Sequence, residues 1–273
     1  MEGLLESTAR EVLEFTTEAV FSERYARKSG LLQQADPRVK LLSLLILVTV
    51  VVSLRNIYVI LFFYTVPLIF ALLSHIRISY FIKRVWFFIP VFTGLIAVPS
   101  IFMTPGRPVF TFPFTEWSAS WEGLTWAALF TLRVATAVSY TILFTMTTRW
   151  KDFVSALTSL RVPGAVITIT TLAYRYIFLL AKLLLDSMHA RRSRLAGNLG
   201  LVESWKEAGK HMGATFIKAN SLGEEVYYAM LARGYSNDTL RSEELKIGKT
   251  DYALAVFTLI LLALAVVTTE VFR

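Results

Sequence analysis

Apolar residues fall in long blocks along this chain, separated by short polar or basic stretches. Blocks near residues 39–54, 57–73, 86–103, 124–147 and 252–267 approach the length that crosses the roughly 30 Å hydrocarbon core of a bilayer as a helix. The ten-residue alternation of a membrane barrel strand is absent. The pattern predicts an all-α polytopic membrane protein with about five transmembrane helices. Asp36-Pro37 opens the first block as an N-cap followed by a first-turn proline. Pro90 and Pro99 are expected to bend the third. Residues 104–122, rich in Phe and Trp, read as an outer loop lying in the interface.

Two further segments follow a different rule. In 165–196, Arg175, Leu179, Lys182, Asp186 and His189 are spaced four, three, four and three residues apart, which puts them on one helical stripe. This segment reads as a long interfacial helix that does not cross, broken by Gly197-Asn198-Leu199-Gly200. Were it to cross, residues 186–250, with ten Lys/Arg, would lie outside, against the positive-inside tendency. A second long helix is predicted over Glu203–Arg233. Its stripe of Trp205, Ala208, Met212, Phe216, Ala219, Gly223, Val226 and Met230 is heptad-like, the signature of close helix packing. Gly209 and Gly213 form a small-xxx-small pair suited to a close crossing. The expected organisation is a cytoplasmic amphipathic segment 1–35 and four transmembrane helices in 36–148. A cytoplasmic and interfacial module 149–250 follows, with a short helix over Trp150–Leu160, and then a last transmembrane helix in 251–273.

Charge and chemistry narrow the function. The net charge is +8 and there is no cysteine, so thiol chemistry and cysteine-ligated metals are excluded. The basic residues flank apolar blocks, which fits cytoplasmic loops at a cell membrane and not nucleic-acid binding. His75, His189 and His211 are far apart, and no metal or catalytic cluster is expected. Gly248-Lys249-Thr250 imitates the end of a phosphate-binding loop, but Glu243 stands where the first glycine should be. Asn237-Asp238-Thr239 is a glycosylation triplet on the expected cytoplasmic side. Arg133 lies within the fourth span, where a charge must face protein or water. A membrane-bound enzyme lacks its acid, base or metal; a self-sufficient permease lacks midplane carboxylates and paired broken helices. What remains are two helix ends, Ser193-Arg194-Leu195 and Ala232-Arg233-Gly234, with Arg191 and Arg192 offering a competing register for the first. Arginine near a helix C-terminus suits the helix dipole. Two such ends also look like prongs offered to a soluble partner's carboxylates and carbonyls.

Asp36-Pro37-Arg38-Val39-Lys40-Leu41 and Glu224-Glu225-Val226-Tyr227-Tyr228-Ala229-Met230-Leu231-Ala232-Arg233-Gly234 resemble the T component of energy-coupling-factor transporters, the EcfT/CbiQ family, over roughly residues 20–270. Phe87-Phe88-Ile89-Pro90, Leu132-Arg133-Val134-Ala135-Thr136 and the Arg149–Arg161 stretch are closer to its cobalt/nickel branch. The resemblance implies two crossing coupling helices, each ending in an X-Arg-X motif that enters a groove on one of two ATPase subunits. It implies that ATP is bound only by those partners. A separate substrate-specific membrane subunit, CbiM-like in the cobalt/nickel branch, would hold the metal. This chain would need no cofactor and would catalyse nothing.

Overall fold

A computed structural model describes residue 26 and residues 30–111, 118–194, 200–235 and 248–271. Outside the described residues lie the amphipathic segment expected over 1–23, the basic group Arg24, Arg27 and Lys28, the aromatic stretch Phe112–Trp117, Leu195, the break at 197–199, and Asn237-Asp238-Thr239. The described chain is helical apart from one short hairpin. Its elements are α1 (Pro37–Ser53), α2 (Ile57–Leu73), α3 (Ile78–Met103), β1 (Pro108–Thr111), β2 (Ser118–Ser120), α4 (Trp121–Thr147), α5 (Trp150–Ser159), α6 (Gly164–Arg192), α7 (Leu201–Ala232) and α8 (Lys249–Val271). They fall into two compact units, one comprising residues 23–156 and 244–273, the other centred on 157–243. The boundary falls inside α5.

The first unit is a helix bundle organised around α4, which packs against α1, α2 and α3, while α8 packs against α1. Ala135, Thr136 and Ser139 of α4 are buried, and such small residues let membrane helices approach closely. One apolar cluster joins Phe81, Val85 and Ile89 of α3 to Ile142, Leu143 and Met146 of α4. A second joins Val51 of α1 and Ile60 and Phe63 of α2 to Tyr140 of α4 and Leu261 of α8. The outward sides of these helices carry exposed Leu, Ile, Val and Phe, as expected of a bundle whose solvent is lipid.

Polar groups inside the bundle are matched to particular orphaned backbone atoms. Pro67 lies within α2 and has no N–H to give the carbonyl of Phe63, four residues earlier. Tyr140 Oη donates to that carbonyl instead, at 3.1 Å. The carbonyl of Leu54, just beyond the end of α1, lacks a helical partner and accepts from Arg133 Nη2 at 2.6 Å. The charge of Arg133 is thereby turned into the bundle and onto the negative end of a helix. At the opposite end of α1, Asp36 caps the helix by accepting from Arg38 N at 2.8 Å, with Pro37 in the first turn. The Asp36 N–H donates to Asp251 Oδ1 at 2.5 Å, Gly248 N donates to Asp251 Oδ2 at 2.6 Å, and buried Lys40 Nζ donates to Thr147 O at 3.1 Å. This network ties the starts of α1 and α8 to the end of α4.

Three differences from the sequence reading stand out. α3 begins at Ile78, eight residues before its apolar block, because Ile78–Val85 is amphipathic and continues the same helix. Residues 104–122, read as a loop lying in the interface, contain β1 paired antiparallel with β2. That hairpin is fixed by Ser120 Oγ donating to Thr104 O at 2.6 Å and by Arg107 N donating to Glu122 Oε2 at 2.8 Å. A Cβ on Gly123 would come within 2.8 Å of Ile101 O, so α3 and α4 meet there at a distance only glycine permits. Among the described residues, α4, α6 and α8 are long and apolar enough to cross a membrane, while α2 and the Thr93–Met103 part of α3 are apolar but shorter. α6, expected to run along the interface, thus meets the length and composition of a span. Its distinguishing feature is the polar stripe: Arg175, Leu179, Lys182, Asp186 and His189 are all exposed.

Candidate functional site

The second unit is dominated by α6 and α7. They run antiparallel past each other, as the pairs Ser187–His211 and Arg191–Glu207 require. Their lengths of 29 and 32 residues correspond to about 43 and 48 Å of helix. Thr168 near the start of α6 meets Tyr235 just past the end of α7 through their hydroxyls. The C-terminal ends of the two helices therefore lie at opposite ends of one hairpin, on the order of 35–40 Å apart along its length.

Each end carries one of the arginines. α6 ends at Arg192, and Ser193 closes its last turn: Ser193 N donates to His189 O at 3.1 Å and Ser193 Oγ donates to Ala190 O at 2.9 Å. Arg194 follows, exposed, with no ion-pair partner among the described residues. Arg191 is differently placed. Its Nε lies 3.4 Å from Glu207 Oε2 of α7, and Lys210 Nζ reaches the other oxygen of Glu207 at 2.7 Å. The hydrogen bond from Lys210, aided by the charge of Arg191, holds the Glu207 carboxyl below its ordinary range. One turn away, Ser187 Oγ and His211 Nδ1 are 2.5 Å apart.

At the other end, Arg233 is the C-cap of α7 and Gly234 follows with φ +70°. Gly234 N donates to Leu231 O at 2.9 Å and Tyr235 N donates to Met230 O at 3.0 Å. This is the paired closure that satisfies the last carbonyls of a helix and demands a left-handed residue, hence glycine. Arg233 is exposed, again with no ion-pair partner among the described residues. Ala232 and Gly234 beside it are exposed as well.

The packing stripe expected on α7 is only partly the buried one. Ala208, Ala219, Val226 and Met230 are half-buried, but Trp205, Met212 and Phe216 are exposed by 65%, 55% and 75%. The more buried side runs through Ser204, Glu207, His211, Thr215, Leu222 and Val226. Polar bonds from Glu207 and His211 to α6 draw that edge inward and leave the aromatic edge open. A Cβ at Gly209 or Gly213 would meet nothing within 4 Å, so within this chain the small pair is not where the helices approach. The polar groups that do fasten the hairpin, Ser187, Glu207, His211, Thr168 and Tyr235, were not singled out by apolar periodicity. Among the described residues no group of three or more His, Asp or Glu could hold a metal ion.

The described residues thus comprise a membrane-type helix bundle and a two-helix hairpin with an exposed arginine at each end. Residues 28–244 match the family model CbiQ, described as cobalt transport protein, and the chain belongs to that family. An uncharacterized protein of Methanocaldococcus jannaschii is 47% identical over 96% of this chain and 91% of its own length. An energy-coupling factor transporter transmembrane protein EcfT of Brevibacillus brevis is 30% identical over 87% of this chain and 94% of its own length. The protein of the same name from Clostridium kluyveri is 27% identical over 90% and 95%.

Proposed function

We propose that this chain is the coupling subunit of an energy-coupling-factor importer, set multi-pass in a prokaryotic cell membrane with its N-terminus in the cytoplasm. Two ATPase subunits bind and hydrolyse ATP. A separate membrane subunit, CbiM-like, binds the substrate, a cobalt or nickel ion. This chain carries out no catalysis and passes motion between them. The observation that supports this reading best is the pair of exposed arginines, Arg194 and Arg233, at opposite ends of one antiparallel hairpin. Each follows a helix C-terminus, so a two-fold-related pair of ATPases would meet similar features, one per subunit. Engagement of Arg191 by Glu207 favours Arg194 as the prong at the first end. α6 lies along the interface with its polar stripe outward. The open apolar edge of α7, with Trp205, Met212 and Phe216, faces the substrate-binding subunit.

Packed helices act as stiff levers, so a shift at either tip travels along the hairpin to its other end. The test is affinity purification of the tagged chain in mild detergent, wild type beside Arg194→Ala/Arg233→Ala. Two nucleotide-binding subunits and a small membrane subunit are expected with wild type, and the ATPases are lost from the double variant. A wild-type chain that purifies alone and moves a cation into liposomes would instead establish a permease.

A further inference from the structure

The arginine end of α7 is held by more than its own helix. The closing bonds around Gly234 fix the backbone of Tyr235 two residues beyond Arg233. The side chain is fixed as well. Tyr235 is half-buried, and its hydroxyl meets that of Thr168 in the second turn of α6. Thr168 Oγ1 donates its single hydrogen to Gly164 O at 3.0 Å, so it accepts from Tyr235. One bond thus joins the residue just past the end of α7 to the second turn of α6, the helix that Pro163 N-caps.

We infer that Tyr235 is a positioning residue for Arg233. Through Thr168 it sets the direction in which the arginine leaves the hairpin, and it makes any displacement of Arg233 a displacement of the root of α6. The inference rests on the coupling reading above. A helix end is the part of a helix most prone to fray, because its last carbonyls lack partners. Force applied to a frayed end is absorbed there. Tying the residue just past the end to a second helix turns the end into a corner of a closed frame. The Arg194 end is built otherwise: its cross-links, Arg191–Glu207 and Ser187–His211, lie before the arginine on α6 and not after it.

The test compares Tyr235→Phe, which removes only the hydroxyl, and Thr168→Val with Thr168→Ser, which keeps the acceptor. In the cysteine-free chain, Ala232→Cys places a single spin label beside Arg233. Faster label motion is expected in Tyr235→Phe and Thr168→Val but not in Thr168→Ser. In the complex with its ATPases, cobalt or nickel uptake per ATP hydrolysed should fall about fivefold in the first two, the equivalent of one ordinary hydrogen bond. ATPase association should persist, unlike in Arg233→Ala. The combined Tyr235→Phe/Thr168→Val variant should be no worse than either alone. Unchanged label motion overturns the tie. Faster label motion with undiminished uptake per ATP, while Arg233→Ala still abolishes uptake, overturns the positioning role and leaves the prong standing. A silent Arg233→Ala overturns the prong, and the inference with it.

Discussion

The bundle and the hairpin are built on opposite plans. In the bundle, residues of α1, α2, α3, α4 and α8 share two buried apolar clusters, and buried polar groups are spent on backbone carbonyls freed by a proline or a helix end. In the hairpin, Ile167, Leu185 and Met188 are the buried apolar side chains among the described residues. Cohesion there comes from side-chain pairs near its ends. The first plan fixes one arrangement of helices. The second leaves long apolar and charged faces of α6 and α7 exposed, and it concentrates the cross-links of the hairpin in a few side-chain pairs.

The contrast breaks first at the tips. Arg194→Ala/Arg233→Ala should abolish recovery of ATPase subunits in the affinity purification while leaving the thermal unfolding of the detergent-solubilised chain unchanged. Loss of the folded chain in that variant would mean that the arginines serve the hairpin's own stability. The next largest effect is expected in the bundle. Ser139→Leu overfills a buried seam and should cost about 1–3 kcal/mol, seen as a lower melting temperature and early aggregation on size exclusion. Ala229→Leu, on an exposed face of α7, should be silent in the same assay.

Tyr140→Phe strands the carbonyl of Phe63 and should cost about 1–3 kcal/mol. Pro67→Ala restores an N–H to that carbonyl, so the Tyr140→Phe penalty should largely vanish in the double variant. An additive double variant would refute the pairing. The smallest effect belongs to Glu207. Its carboxyl titrates lower in the folded chain than in the unfolded one, so its contribution is complete above the unfolded value and is lost as pH falls through the folded one. A spin label at Lys206→Cys should therefore loosen below the ordinary carboxylate range in wild type and show no such step in Glu207→Gln. At neutral pH Arg191→Ala should leave uptake near normal, since a partly exposed ion pair contributes little; a loss matching that of Arg194→Ala would move the first prong to Arg191.

Parts of both the bundle and the hairpin are legible in the sequence. α2 occupies the block 57–73 as drawn, Asp36 caps α1 ahead of Pro37, and Gly234 stops α7 in the left-handed conformation. These features follow from local rules: span length, capping chemistry and positive φ. What was not legible joins distant residues. The bond from Tyr140 to Phe63 O crosses 77 positions and that from Arg133 to Leu54 O crosses 79; periodicity carries no information about either. The rotated seam of α7 was missed for a related reason. Counting apolar side chains ranks Trp205 and Phe216 as core, whereas Glu207 and His211 decide which edge faces α6.

The bond between Tyr140 and the carbonyl beside Pro67 also constrains how this family can change. Losing the tyrosine hydroxyl while the proline remains leaves a bare carbonyl in an apolar core, so that step is expected to be costly. Losing the proline first should be the milder step, and it would release position 140 to become phenylalanine. The order of substitution should therefore be one-way: lineages with proline at 67 keep a hydroxyl at 140, and phenylalanine at 140 arises only where the proline has already gone.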